Sequence, residues 1–146
     1  MGYEYFEKEH CDCTKCTDNK VINAEENKRV FSVQNKSRKL VCKIEIDGCV
    51  IKKGIKCDYL FVIPLDEKAF FVELKGQDLL KAIKQLDSSI TMLSSHLEKH
   101  EINARVVLTK ANTPDLRSSE LIKFKKRIKK LGGNLKYGTR KMVESV

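Results

Sequence analysis

The sequence predicts an α/β fold in which helices lie against a mixed sheet, and three observations carry that prediction. Apolar runs at residues 40–47, 57–63 and 69–75 read as consecutive strands. A stripe at Leu79, Ile83, Leu86, Ile90, Leu93 and Leu97 then recurs at spacings of three and four, the period of an amphipathic helix. A further strand-like run, residues 104–109, and a lysine-rich helical stripe follow it. Short connections join the first three strands into a meander, whereas the long crossover to the next strand favours parallel pairing.

Taken in order, residues 1–22 are polar, hold three cysteines and follow neither period, so an irregular arm is expected there. Residues 23–146 then form a single domain, for which 146 residues at 41% hydrophobic supply one core. Residues 21–33 suit a short helix: Asn23 can cap it, and Glu25 and Glu26 fall in its first turn, where the helix dipole favours acids.

From Leu40 the chain alternates, with Cys42, Ile44 and Ile46 on one face and Lys43, Glu45 and Asp47 on the other, up to the turn signal Asp47-Gly48. Cys49-Val50-Ile51 can pair back before Lys52-Lys53-Gly54 breaks the pattern. The run at 57–63 stops at Pro64, and Asp66-Glu67-Lys68 turns the chain into the central strand. The long helix is expected over residues 78–98, which would span roughly 30 Å at 1.5 Å per residue. Thr113-Pro114 marks a stop and a new helix start. In that last helix Leu121, Phe124, Ile128 and Leu131 make the apolar stripe, Gly132-Gly133 ends it, and a short strand follows at 134–137.

The net charge of +9 is uneven: residues 117–141 hold ten Lys/Arg and one acid, Glu120. Lys123, Lys125, Lys126, Arg127, Lys129 and Lys130 concentrate it on the last helix, a surface suited to the phosphates of a nucleic acid. No stretch approaches the 18 uncharged apolar residues of a membrane span, and the first twenty residues lack the apolar centre of a signal peptide. A cytoplasmic protein with reduced thiols is therefore expected, with no membrane partner. Cys42 and Cys57 lie in strand-like runs where a free cysteine serves as a small buried hydrophobe. His10, Cys11, Cys13 and Cys16 stand within seven residues and are candidates for half of a structural zinc site, with His96, His100, Cys49 or Cys57 to complete it.

The chemistry-bearing stretch is Phe70-Phe71-Val72-Glu73-Leu74-Lys75-Gly76, because period two sends Glu73 and Lys75 to the same face of a buried strand. Charges there must be paired or bound to something. Asp58 opens the preceding strand and can stand beside Glu73. Two carboxylates and the Leu74 carbonyl would hold Mg2+ or Mn2+, which needs hard oxygens and keeps several waters. Such an ion acidifies water and contacts a scissile phosphate, and Lys75 can orient the water or offset charge.

Asp58, fourteen intervening residues and Glu73-Leu74-Lys75 resemble the PD-(D/E)XK nuclease superfamily, the restriction-endonuclease-like fold. The likeness covers about residues 40–109: in that family the Asp begins the second core strand and Glu-X-Lys lies on the third. In the Holliday-junction-resolvase-like branch a glycine, an alanine and a Gln-Leu pair follow, here Gly76, Ala82, Gln85 and Leu86. Cys57 replaces the family's proline. The resemblance implies a three-layer helix-strand-strand-strand-helix-strand core and metal-dependent hydrolysis of DNA phosphodiesters. It further implies Gln85 facing the site, a first-helix acid in the place of Glu25 or Glu26, and a chain that can act as a homodimer. Charge alone equally fits a non-catalytic nucleic-acid-binding module on the same fold.

Overall fold

The computed structural model describes residues 2–76, 78–110 and 118–146, apart from the side chains of residues 75 and 76. The expected stop at Thr113-Pro114 lies outside the described residues. In chain order the elements are helix α1 (Glu4–Glu9), strands β1 (Thr14–Thr17), β2 (Val21–Glu26), β3 (Arg29–Gln34), β4 (Val41–Glu45), β5 (Tyr59–Ile63) and β6 (Lys68–Gly76), helix α2 (Leu79–Leu93), strand β7 (Glu101–Leu108), helix α3 (Ser119–Lys130), and strands β8 (Gly132–Thr139) and β9 (Lys141–Ser145). Six strands form a mixed sheet in the order β1-β4-β5-β6-β7-β8, and three form a second sheet, β2-β3-β9.

The central meander β4-β5-β6 is antiparallel, and β7 joins β6 in parallel after the α2 crossover, as the connection lengths predict. Central strand β6 is apolar on consecutive positions because both of its faces are covered. Ala69 and Phe71 pack with Leu60, Val62 and the α2 stripe, while Phe70, Val72 and Leu74 pack with Phe31, Val33 and Ile22 of the second sheet. α2 starts where Asp78 accepts a hydrogen bond from the Leu80 N–H at 3.0 Å. It is shorter than expected: the last turn, Ser94–Leu97, tightens to a 3-10 helix that still buries Leu97. α3 buries Leu121, Phe124 and Ile128. It is followed by two strands, of which only part of β8 was expected.

The helix expected over residues 21–33 does not form. Those residues make a hairpin, β2 against β3, paired from Val21↔Gln34 to Glu26↔Arg29. Burial in β2 has period two, with Ile22 and Ala24 inside and Val21, Asn23 and Glu25 outside. The turn is carried by Asn27 at φ +48° and Lys28 at φ +67°, both left-handed, as a two-residue type I′ hairpin requires. Glu25 and Glu26 are therefore strand residues, and the first-helix acid expected of them has no helix to sit on.

The N-terminal segment is likewise ordered. Phe6 of α1 is fully buried in the core, and β1 extends the main sheet by pairing with β4. Thr14 ties the two parts together, donating to the Phe6 carbonyl at 3.2 Å and the His10 carbonyl at 2.9 Å.

Two disulfides, Cys13–Cys49 and Cys16–Cys42, replace the reduced thiols expected from the sequence. Cys16 and Cys42 face each other in the β1/β4 ladder with their Cα atoms 4.0 Å apart, so folding itself brings them together. Cys11 is free and exposed, and Cys57 is free and buried. The zinc expected at His10, Cys11, Cys13 and Cys16 is overturned, because a disulfide sulfur is not a thiolate ligand. Among the described residues no group of three or more His, Cys, Asp or Glu is placed to hold a metal ion. His96 stacks on Tyr5 at a centroid separation of 3.5 Å, His10 lies 3.4 Å from the Tyr5 hydroxyl, and His100 Nδ1 donates to the Glu98 carbonyl. No helix among the described residues is long and apolar enough to cross a membrane. Disulfides persist in oxidising surroundings, so a cytoplasmic location loses the thiol argument on which it rested.

Candidate active site

Asp58 and Glu73 meet where β5 enters the sheet beside the end of β6. The β5/β6 ladder reaches Tyr59↔Val72, and one residue earlier the Asp58 N–H donates to the Val72 carbonyl at 3.1 Å. The Asp58 carboxylate in turn accepts the Leu74 N–H at 2.8 Å. Asp58 thus bonds to the peptide before Glu73 and to the peptide after it, which fixes the two acidic residues side by side. Asp58 is 2% exposed and Glu73 is 0% exposed. Beyond Glu73 the β6/β7 register shifts before Gly76, so β6 departs from regular pairing directly after the acid.

The thiol of Cys57 senses both carboxylates. Burial above all, and then the negative charges of Glu73 and Asp58, push it well above its ordinary value, against a lowering hydrogen bond from Ser89. Cys57, Asp58 and Glu73 therefore share one desolvated environment.

Helix α2 braces the approach to Asp58. Gln85 Nε2 donates to the Lys56 carbonyl at 3.3 Å, Ser88 Oγ donates to the Ile55 carbonyl at 2.7 Å, and the Cys57 N–H donates to Ser89 Oγ at 2.8 Å. Three neighbouring side chains on α2 thus hold three successive residues ahead of the acid. From the other side the Ile46 and Asp47 amides donate to the Asp58 carbonyl at 2.9 and 3.4 Å. Gln85, expected to face the site, is found here with its amide on the Lys56 carbonyl, two residues ahead of Asp58. Ser88 and Ser89 were missed, since nothing in a helical stripe marks a serine whose partner lies 32 or 33 residues upstream.

The remaining expected site residues fall as follows. Leu74 is fully buried with its N–H committed to Asp58, and the Lys75 side chain lies outside the described residues. Glu25 and Glu26 sit in the second sheet, across the main sheet from α2. On α3, Lys123, Lys125, Lys126, Lys129 and Lys130 are exposed. Arg127 differs from them: its Nη1 donates to the Asp87 carboxylate and, at 3.2 Å, to the Asp87 carbonyl, tying α3 to α2. The groove between these helices is lined by Ile83, Lys84, Asp87, Lys123 and Phe124, of mixed charge.

No protein family, no curated protein and no solved structure matches the chain.

Proposed function

We propose that the chain is a metal-dependent nuclease of the PD-(D/E)XK kind that hydrolyses phosphodiester bonds, with DNA as the favoured substrate. The observation that supports this reading is the double hydrogen bond by which Asp58 brackets Glu73, since it pairs two buried carboxylates at the end of a central strand. Burying one carboxylate costs several kcal/mol unless it is paired, and a second beside it adds to the negative charge that cations must match, which suits a site that binds a divalent ion.

In this reading Asp58 and Glu73 offer hard oxygens, and waters and a phosphate oxygen of the substrate complete the coordination of a divalent ion. The ion would supply an acidified water and Lewis-acid contact with the scissile phosphate. Asp58 is held in place through its own backbone and through Lys56, Ile55 and Cys57, which the α2 side chains fix. Lys75, two residues after Glu73 on the same strand, would offset negative charge as the phosphate is attacked. The exposed lysines of α3 would hold the flanking phosphates without reading sequence. Because the pair is closed to solvent, it must open toward substrate before the reaction.

A second reading rests on one specific observation. Glu73 is fully buried and Asp58 spends an oxygen on a backbone amide, which suits a nucleic-acid-binding module that has kept the fold without the chemistry. Labelled single-stranded, duplex and branched DNA, incubated with magnesium or manganese and with EDTA, separates the two. Cleavage that EDTA abolishes is the expected outcome. Binding without cleavage of any of the three substrates would establish the second reading instead.

A further inference from the structure

The loop that leads into Asp58 carries an apolar tip that the core does not use. Ile55 is 57% exposed, and Lys52, Lys53 and Gly54 before it are exposed as well. Single exposed hydrophobic residues are common and by themselves mean nothing. Ile55 differs in how its backbone is held. Ser88 Oγ donates to its carbonyl at 2.7 Å, and Gln85 Nε2 donates to the next carbonyl at 3.3 Å. Lys56 Nζ reaches back to the Lys52 carbonyl at 3.5 Å and to the Asp47 carboxylate at 3.7 Å, closing the loop across its base. Gly54 turns the chain at φ +88° with no atom within 4 Å of where a Cβ would stand. A rigid base thus presents a branched apolar side chain next to two amines, on the outside of the molecule.

The geometry points to a wedge for duplex DNA: Lys52 and Lys53 contact backbone phosphates, and Ile55 presses between adjacent base pairs in the groove. Isoleucine is among the side chains that unstack a base step in this way, and neighbouring lysines supply the counterion release that holds the duplex against it. Three residues of chain span at most about 10 Å between Cα atoms, so in the nuclease reading Ile55 enters the duplex a few base steps from the scissile phosphate. The location beside the scissile phosphate rests on the nuclease reading; the unstacking does not. An acidic protein surface would also match the lysines, and with it the fluorescence test below would show no unstacking.

The test uses the full chain in EDTA, so that no DNA is cut, with duplexes carrying the fluorescent base 2-aminopurine at successive positions. Wild type is expected to raise the fluorescence severalfold at interior positions of the duplex, and Ile55→Ala to lose that rise and bind about tenfold more weakly. Lys52→Gln/Lys53→Gln is expected to lower the slope of log K against log salt by about 1.8, close to 0.9 per phosphate contact. An unchanged signal with wild type, or a full signal with Ile55→Ala, overturns the wedge. Cleavage in magnesium is scored separately. Cleavage without unstacking rejects the wedge and leaves the nuclease reading intact, whereas unstacking without cleavage supports the wedge and rejects the nuclease.

Discussion

Removing the disulfides one at a time and together tests how the N-terminal segment is fastened to the main sheet. Cys13–Cys49 closes a loop with a sequence separation of 36, and Cys16–Cys42 one of 26. Chain-entropy bookkeeping gives about 3.8 and about 3.5 kcal/mol for these loops when each is the sole cross-link. They are nested, however. Once one is closed, the other closes only a ring of about ten residues, running through 13–16 and 42–49, worth about 2.7 kcal/mol. Cys49→Ala and Cys16→Ala should therefore each cost about 2.7 kcal/mol, and full reduction about 6 kcal/mol. Against a total stability of about 5–15 kcal/mol, full reduction consumes a large share. Thermal unfolding followed by circular dichroism should show Tm falling by roughly 5–10 °C in each single variant, at about 2–4 °C per kcal/mol for a chain of this size. Alkylation of the native, unreduced protein after denaturation should find two thiols, Cys11 and Cys57. Six reactive thiols, or variants that melt with the wild type, would refute the reasoning.

Other consequences follow from particular side chains. Arg105 is buried and joins three elements: its Nε donates to Glu144 of β9, and its Nη1 donates to the Ala104 and Asn134 carbonyls, each at 2.9 Å. Glu144→Ala strands that guanidinium and should cost about 3–5 kcal/mol in urea unfolding, whereas Arg105→Met/Glu144→Leu should recover most of the loss. The Cys57 thiol is raised above its ordinary value of 9.0, so its neutral form belongs to the fold. Its contribution is whole below about pH 9 and is lost as pH rises above that, while the unfolded chain ionises freely. Stability of the wild type should fall more steeply between about pH 9 and pH 11 than that of Cys57→Ala; parallel curves would contradict the burial that raises the thiol.

The parts legible in the sequence are those whose signal is local. The meander, the α2 stripe and the α3 stripe each carry their own period, and Asp58 and Glu73 could be set on adjacent strands because a short connection leaves little other choice. What escaped depends on partners distant along the chain. Strand β3 has its second neighbour in β9, with Val30 beside Lys141, a partner from the far end of the chain. Glu25 and Glu26 imitate the first turn of a helix, and the hairpin turn is made by Asn27 and Lys28 without the glycine that usually marks it. The cysteines read as reduced because the first twenty residues lack the apolar centre of a signal peptide, and only the pairing of β1 with β4 reveals that Cys16 and Cys42 are partners. Ser88 and Ser89 look like ordinary polar helix positions until the loop before Asp58 is laid against them.

The most direct test of the central claim is the cleavage rate of Glu73→Gln beside wild type in magnesium, with DNA binding and Tm recorded for both proteins. Glutamine keeps the shape and removes the charge, so the account predicts near-equal binding, a protein that still folds, and cleavage reduced by at least about a hundredfold, the lower end of the loss when one group that stabilises transition-state charge is removed. A variant that cleaves as fast as wild type would show that the Glu73 carboxylate does no chemistry.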